Sequence, residues 1–272
     1  LAGWIITMGD RYFIQFLSTS TEFGLYSLGY KFGFIVQGLI GAPFSLAWVP
    51  FLWSTAKEKN AKEIFSALLT YFVLVGMAVA LVLSVLAKEV LGVMAAPAFY
   101  GAYKVIPLIA VSYVLFGCYQ ILAAGITLEK KTKYVALIVG IGAAVNLGLN
   151  YLLIPGYGMM GAAVATVTAY LVLPIGSYFV SKRYYPIKYE WSRVAKIFLA
   201  AGLVYAGSIF ITSDSPVITA LLKLLSLLGF PLLLFAFRFF KPEEIQKTKE
   251  IFRAAPGYIK SRLAKDRLLR RR

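Results

Sequence analysis

The stretch ITMGDRYFIQF, residues 6–16, sets Asp10 and Arg11 side by side among apolar neighbours, and Lys31 follows in the next apolar run. With the chain end of that first run near Ser20, a helical rise of ~1.5 Å per residue puts Asp10 and Arg11 roughly 13–15 Å from that end. Lys31, on a run going the other way, lies ~10 Å deep by the same measure. A charge at such depth costs several kcal/mol in lipid, so it must face protein or a water-filled cavity. Adjacent residues point about 100° apart on a helix, so Asp10 and Arg11 do not face each other well. Asp10 can pair with Lys31 and leave Arg11 free for an anion, or the two bases can exchange roles. The bland alternatives are a neutralised packing pair or side chains snorkelling to an interface. Intramembrane ionisable groups nonetheless point first to function. Gln15, Tyr26, Tyr30 and Gln37 can line the same cavity, or serve as ordinary hydrogen bonders between helices.

The residues that enzymes need are scarce. There is no His among the 272 residues, which removes His-based zinc sites and Ser-His triads. No GxxxxGK[ST] phosphate loop occurs, so the chain is not its own ATPase. Asp10 is the only acid well inside an apolar run, and paired carboxylates for glycosyl transfer are missing. No cytoplasmic loop carries an acidic cluster suited to Mg²⁺. Neither catalysis nor a cofactor is expected. The single Cys118 lies in an apolar run and reads as a packed thiol, with no disulfide framework.

The elements that must position Asp10 and its neighbours are membrane helices. The composition is 60% hydrophobic and 15% charged, with mean hydropathy +0.77. Apolar stretches near the ~20 residues that cross a bilayer recur along the chain, and they lack the alternation of barrel strands. Eight spans are expected, about Leu1–Thr19, Gly24–Trp53, Ile64–Ala87, Val105–Leu128, Tyr134–Ile154, Met159–Ser181, Val194–Ile211 and Pro216–Phe240. Span two is long and interrupted by Gly33, Gly38, Gly41, Pro43 and Pro50. Between spans three and four a short interfacial segment is expected, with Tyr100 and Tyr103 in an aromatic belt.

Spans five and six read as an αα-hairpin closed by a tight turn of Pro155, Gly156 and Gly158. Gly140, Ala144 and Gly148, and again Gly161, Ala165 and Ala169, recur every four residues and predict close helix packing. Asn146 and Asn150, one turn apart, read as polar glue between helices, with a polar path as the alternative.

The net charge is +16, but its distribution argues against nucleic acid. Twelve of 28 Lys and Arg fall from Arg238 to Arg272, and most others in the loops STAKEKNAKE, EKKTK and KRYYPIKYEWSRVAK. With eight spans these loops all fall on one side, which the positive-inside rule makes cytoplasmic. The basic tail, with apolar residues interleaved, suits either an anionic leaflet or a solvated role in setting topology. The chain opens at Leu1 without an initiator Met or a basic segment before the first apolar run, so it reads as a fragment beginning inside a helix rather than at a signal peptide.

The segment GWIITMGDRYFIQFLSTSTEFGLYSLGYKFG resembles the start of the C-terminal lobe of polysaccharide-biosynthesis flippases, in which a membrane Asp-Arg precedes a Gly-x-Tyr and Tyr-Lys stretch. Asp10, Arg11, Gly24, Tyr26, Tyr30 and Lys31 match that pattern. PAFYGAYKVIPLIAVSYVLFGCYQILAAGITLEKKTKYVA and NLGLNYLLIPGYGMMGAAVATVTAY are similar to the same family, so the resemblance covers about Gly3–Ser181. It implies an all-α polytopic membrane bundle, the C-terminal lobe of a two-lobe MATE-like transporter, here without its first lobe. The implied organisation is a six-helix lobe over 1–181, two further spans over 182–240, and a basic amphipathic cytoplasmic tail over 241–272. The implied activity is translocation of polyprenyl-diphosphate-linked oligosaccharide across the cytoplasmic membrane by alternating access. The implied partners are that lipid-linked glycan, membrane lipids and the missing N-terminal lobe. Arg11 and Lys31 would attract the diphosphate; Asp10, Gln15, Tyr30, Gln37, Asn146 and Asn150 complete the expected substrate-binding set. A drug/cation antiporter of the same superfamily, which would prefer a net acidic cavity, is the nearest rival. A glycan polymerase or ligase would need a larger outer loop with acids or His.

Overall fold

The computed structural model describes residues 2–242, 244 and 246, and every regular element among them is helical. In chain order these are α1 (Ala2–Leu17), α2 (Ser20–Gly33), α3 (Ala42–Thr55), α4 (Ala61–Val85), α5 (Ala87–Met94), α6 (Ile106–Leu122), α7 (Ala124–Leu128), α8 (Lys133–Tyr184), α9 (Trp191–Ile209), α10 (Pro216–Ser226) and α11 (Gly229–Ala236). A π-helical turn over Gln37–Gly41 joins α2 to α3, and a 3₁₀ segment over Pro97–Lys104 leads into α6. Among the described residues, five helical runs are long and apolar enough to cross a membrane, or six if the 3₁₀ segment and α6, bent by 45°, form one span. A membrane-embedded helical protein is the class these lengths fit. One compact unit runs Leu1–Phe230 and a second Pro231–Arg272. Apart from Lys241, Pro242, Glu244 and Gln246, the basic tail expected over 241–272 lies outside the described residues.

Helix α8 contains the hairpin. Its 52 residues are continuous except at Gly158, where φ is 52° and ψ is −131°. The helix turns back there. A Cβ on Gly142 would meet Leu173, one on Gly176 would meet Ile138, and one on Gly161 would meet the backbone of Leu153. As one index rises its partner's falls, so the legs are antiparallel. Tyr134 and Tyr184 close the open end, ring centroids 5.8 Å apart and hydroxyls at 3.1 Å. The predicted three-residue turn is corrected: Pro155 and Gly156 remain helical, and Gly158 alone reverses the chain. The stripe Gly140, Ala144 and Gly148 is also corrected, because it faces outward. The packed face of that leg is Ile138, Gly142, Asn146 and Asn150, while Gly161, Ala165 and Ala169 of the other leg are buried as expected.

Glu22 holds the turn. Thr19 and Glu22 have the spacing of a capping box, and Thr19 Oγ1 accepts from the Glu22 amide at 3.2 Å. The Glu22 carboxylate reaches across the fold, and the Met159 amide donates to its Oε2 at 2.7 Å. A carboxylate thus caps the orphan Met159 amide of the second leg, where the helix dipole also favours negative charge. Glu22→Ala is expected to cost about 1–2 kcal/mol, in the range of a lost N-cap, and Gly158→Ala to add strain at positive φ. Thermal unfolding in detergent checks both; an unchanged midpoint for Glu22→Ala would refute the cap.

Packing brings α1 onto the hairpin and α2 onto α6. Ile6, Asp10 and Ile14, each one turn from the next, form the buried stripe of α1. Gly29 and Gly33 let α2 approach the backbone around Ala102 and Ala110. The opposite ends of the fold differ in charge. At one end Lys62 and Lys188 line a single cavity with Lys182, and Lys131 lies 5.9 Å from the Tyr184 ring. The basic loops therefore gather together. At the other end Glu22 meets Gly158, and Phe99 lies where a Cβ on Gly24 would point.

Candidate functional site

The acid enters the core because it occupies the stripe position between Ile6 and Ile14. Asp10 is fully buried, with 0% exposure. Its Oδ2 accepts from the Tyr26 hydroxyl and from Thr166 Oγ1 at 3.1 Å, and its Oδ1 from the Arg11 amide at 2.9 Å. Tyr26 and Thr166 are themselves 3.3 Å apart. These donors replace the hydration a buried carboxylate loses. The expected Asp10–Lys31 ion pair is corrected: the carboxylate is taken up by hydroxyls, and Lys31 stands on the exposed side of α2. Helical geometry explains it, because Tyr26 and Tyr30 share the buried face of α2 whereas Lys31 lies about 100° further round.

Arg11, one residue after the acid, turns away from it. Its guanidinium lies 4.5 Å from the centroid of the Tyr30 ring, a cation–π contact. One terminal nitrogen reaches Met8 Sδ at 2.8 Å, and the buried Nε has no partner among the described residues. Tyr30 leads onward to Tyr113, whose hydroxyl donates to the Tyr30 hydroxyl at 2.8 Å. Tyr113 in turn lies 5.9 Å from Tyr170, ring to ring. The row ends at a cavity of about 450 Å³ bordered by Thr7, Phe34, Gln37, Tyr113, Tyr119 and Tyr170. Gln37 sits in the π-turn, its Oε1 buried and unpartnered among the described residues. A Cβ on Gly41 would fall on that amide, so glycine there makes room for it. Pi-turns inside helices recur at functional sites.

Of the residues expected at the site, the structure joins Asp10, Arg11 and Tyr30, with Gln37 at the end of the aromatic row. Gln15 and Lys31 are exposed on α1 and α2, outside that row. Asn146 and Asn150 are fully buried and bond each other, Asn150 Nδ2 donating to Asn146 Oδ1 at 3.1 Å. The expected glue between helices is thus a bond within one helix, and among the described residues it leaves Asn146 Nδ2 and Asn150 Oδ1 unpartnered. The hairpin register sets this pair near the level of Thr166. Thr166, Tyr113 and Tyr170 are additions that sequence reading missed. Their only signal was a hydroxyl inside an apolar run, which spacing alone does not separate from ordinary packing. Among the described residues no cluster of three or more His, Cys, Asp or Glu can hold a metal ion. Comparison of the chain with family models and with curated proteins finds no match.

Proposed function

We propose that the chain is the C-terminal lobe of a MATE-like flippase that moves polyprenyl-diphosphate-linked oligosaccharide across the cytoplasmic membrane. The observation that carries the reading is Arg11: a half-buried guanidinium on an apolar helix whose neighbouring carboxylate is committed to hydroxyls. Its positive charge is therefore left for an anion. Lys31, exposed on the adjacent helix, adds a second cation toward the side a companion lobe would cover. A diphosphate matches that pair by charge and by guanidinium geometry. The aromatic and amide lining beyond Tyr30 suits the polar and apolar faces of sugars. Counting α1, the interrupted α2–α3 run and both legs of α8 as crossings gives eight spans, with the basic loops on the cytoplasmic side. Asp10 is fully buried and taken up by hydroxyls, which supports a role in ion coupling over direct contact with a cationic drug. No bond is made or broken in this mechanism; alternating access carries the headgroup while the prenyl chain stays in lipid.

The test is flux. The protein, joined to the six-span lobe expected upstream of Leu1, is reconstituted in vesicles with a fluorescent polyprenyl-diphosphate glycan. Protein-dependent exposure of that glycan to an outside glycosidase is expected, with no acceleration for a neutral glycolipid of the same chain length. Equal flux of both lipids, or a coding sequence that starts at Leu1, would overturn the reading.

A further inference from the structure

We infer that the chain carries a second lipid site, outside the Asp10–Arg11 region, that holds an anionic bilayer phospholipid by one acyl chain and its phosphate. Helices α4, α6, α8 and α9 leave an apolar groove of about 440 Å³, lined by residues such as Val111, Leu115, Leu171, Ile175, Phe179 and Phe198. Among the described residues no charged side chain lines it. Tyr178 and Trp191 border both this groove and a second cavity at the end where the basic loops gather. That second cavity is lined by Lys62, Lys182 and Lys188, against Glu63 as its one acid. Lys182 Nζ lies 5.8 Å from the Tyr178 ring, and Lys62 Nζ 4.9 Å from the Tyr185 ring, so ammonium groups are held against aromatic walls at the rim. Tyr178 and Trp191 meet edge to face, centroids 5.0 Å apart, and form the belt between apolar and basic parts.

Apolar depth, aromatic collar and net basic rim, in that order, are the order of parts in a phospholipid seen from its tail. Charge complementarity selects an anionic headgroup over a zwitterionic one. The adjacency of the two cavities across Tyr178 and Trp191 selects a lipid over a soluble anion, and the groove is sized for one acyl chain.

Trp191 reports on the site directly. The test uses the protein with Trp4, Trp48 and Trp53 replaced by Phe, in bilayers of phosphatidylcholine doped with acyl-brominated phosphatidylglycerol or acyl-brominated phosphatidylcholine. Trp191 fluorescence is expected to be quenched with at least about a fivefold preference for the anionic lipid, the selectivity that one lysine near an anionic surface contributes. Lys62→Gln, Lys182→Gln and Lys188→Gln together should abolish the preference, while Arg at the three positions should keep it, a control for folding. Val111→Phe, which fills the groove and leaves every lysine in place, should also lose it. Equal quenching by the two lipids, a preference that survives either the Gln variant or Val111→Phe, or its loss to millimolar inorganic phosphate, would each overturn the proposal. Because none of these residues belongs to the Asp10–Arg11 region, failure here leaves the flux test standing.

Discussion

Arg11→Ala is expected to lower transport of a diphosphate-linked glycan by about ten- to a hundredfold, the equivalent of the ~1.5–3 kcal/mol in a hydrogen bond to a charged group. The side chain is held by its stem and by Tyr30, not by a counter-ion, so its removal leaves no orphaned carboxylate: Asp10 keeps Tyr26, Thr166 and the amide of residue 11. Folding should therefore survive, and surface expression should match the parent. Arg11→Lys separates charge from shape. A lysine restores the positive charge but lacks the planar fork and stacks less well on Tyr30, so it should recover part of the flux. Lys31→Ala, at an exposed position, should cost less than Arg11→Ala, and the double variant more than either. Flux in vesicles, normalised to reconstituted protein, measures all four. Full activity in both single alanine variants would remove the charge argument, and with it the main support for an anionic substrate.

The helical class and the ends of most helices were readable from the residues alone, because an uninterrupted apolar run near bilayer length fits little besides a membrane span. The interruption of the second run was visible in its glycines and prolines, although its form, a π-turn built around Gln37, was not. The hairpin was legible at Gly158. Pro155 misled because membrane helices tolerate an interior proline where packing against neighbours takes up the freed carbonyl, and Pro174 is a further case in the same helix. The stripe Gly140, Ala144 and Gly148 misled for another reason. Small residues every fourth position mark one face of that leg, yet the packed face is the one carrying Ile138, Gly142, Asn146 and Asn150, and periodicity of small residues cannot say which face is packed. At the site, the type and depth of Asp10 and Arg11 announced themselves, since charge in an apolar run is rare. Their partners did not. Thr166 lies 156 residues from Asp10, and a hydroxyl donor among small residues carries no mark of the carboxylate it will meet. Formal charge suggested Lys31 as the partner, and helix phase chose Tyr26 instead.

Asp10→Ala is expected to be the most destabilising single change in this region. Three donors converge on the carboxylate, and two of them, Tyr26 and Thr166, are buried hydroxyls. Truncation strands both, although their 3.3 Å separation lets them bond each other and recover part of the loss. It also removes the nearest negative charge from Arg11. Leaving buried donors without their acceptor costs ~1–3 kcal/mol each, so the yield of folded protein should fall. Asp10→Asn keeps the shape and one acceptor oxygen, and should cost less. Tyr26→Phe removes one donor and should cost least, ~1 kcal/mol as for a typical net hydrogen bond. Thermal unfolding in detergent should rank them Ala, Asn, Phe from most to least damaged. Asp10→Asn then does a second task. It is expected to fold and to bind the glycan lipid through Arg11, yet to lose the dependence of flux on a proton or sodium gradient, because an amide neither ionises nor balances a cation. A folded Asp10→Asn protein whose flux still follows the gradient would assign Asp10 to the scaffold and move the coupling elsewhere. Ala and Asn variants equally stable to heat would show that the carboxylate's hydrogen bonds contribute nothing to holding α1 against α2 and the hairpin.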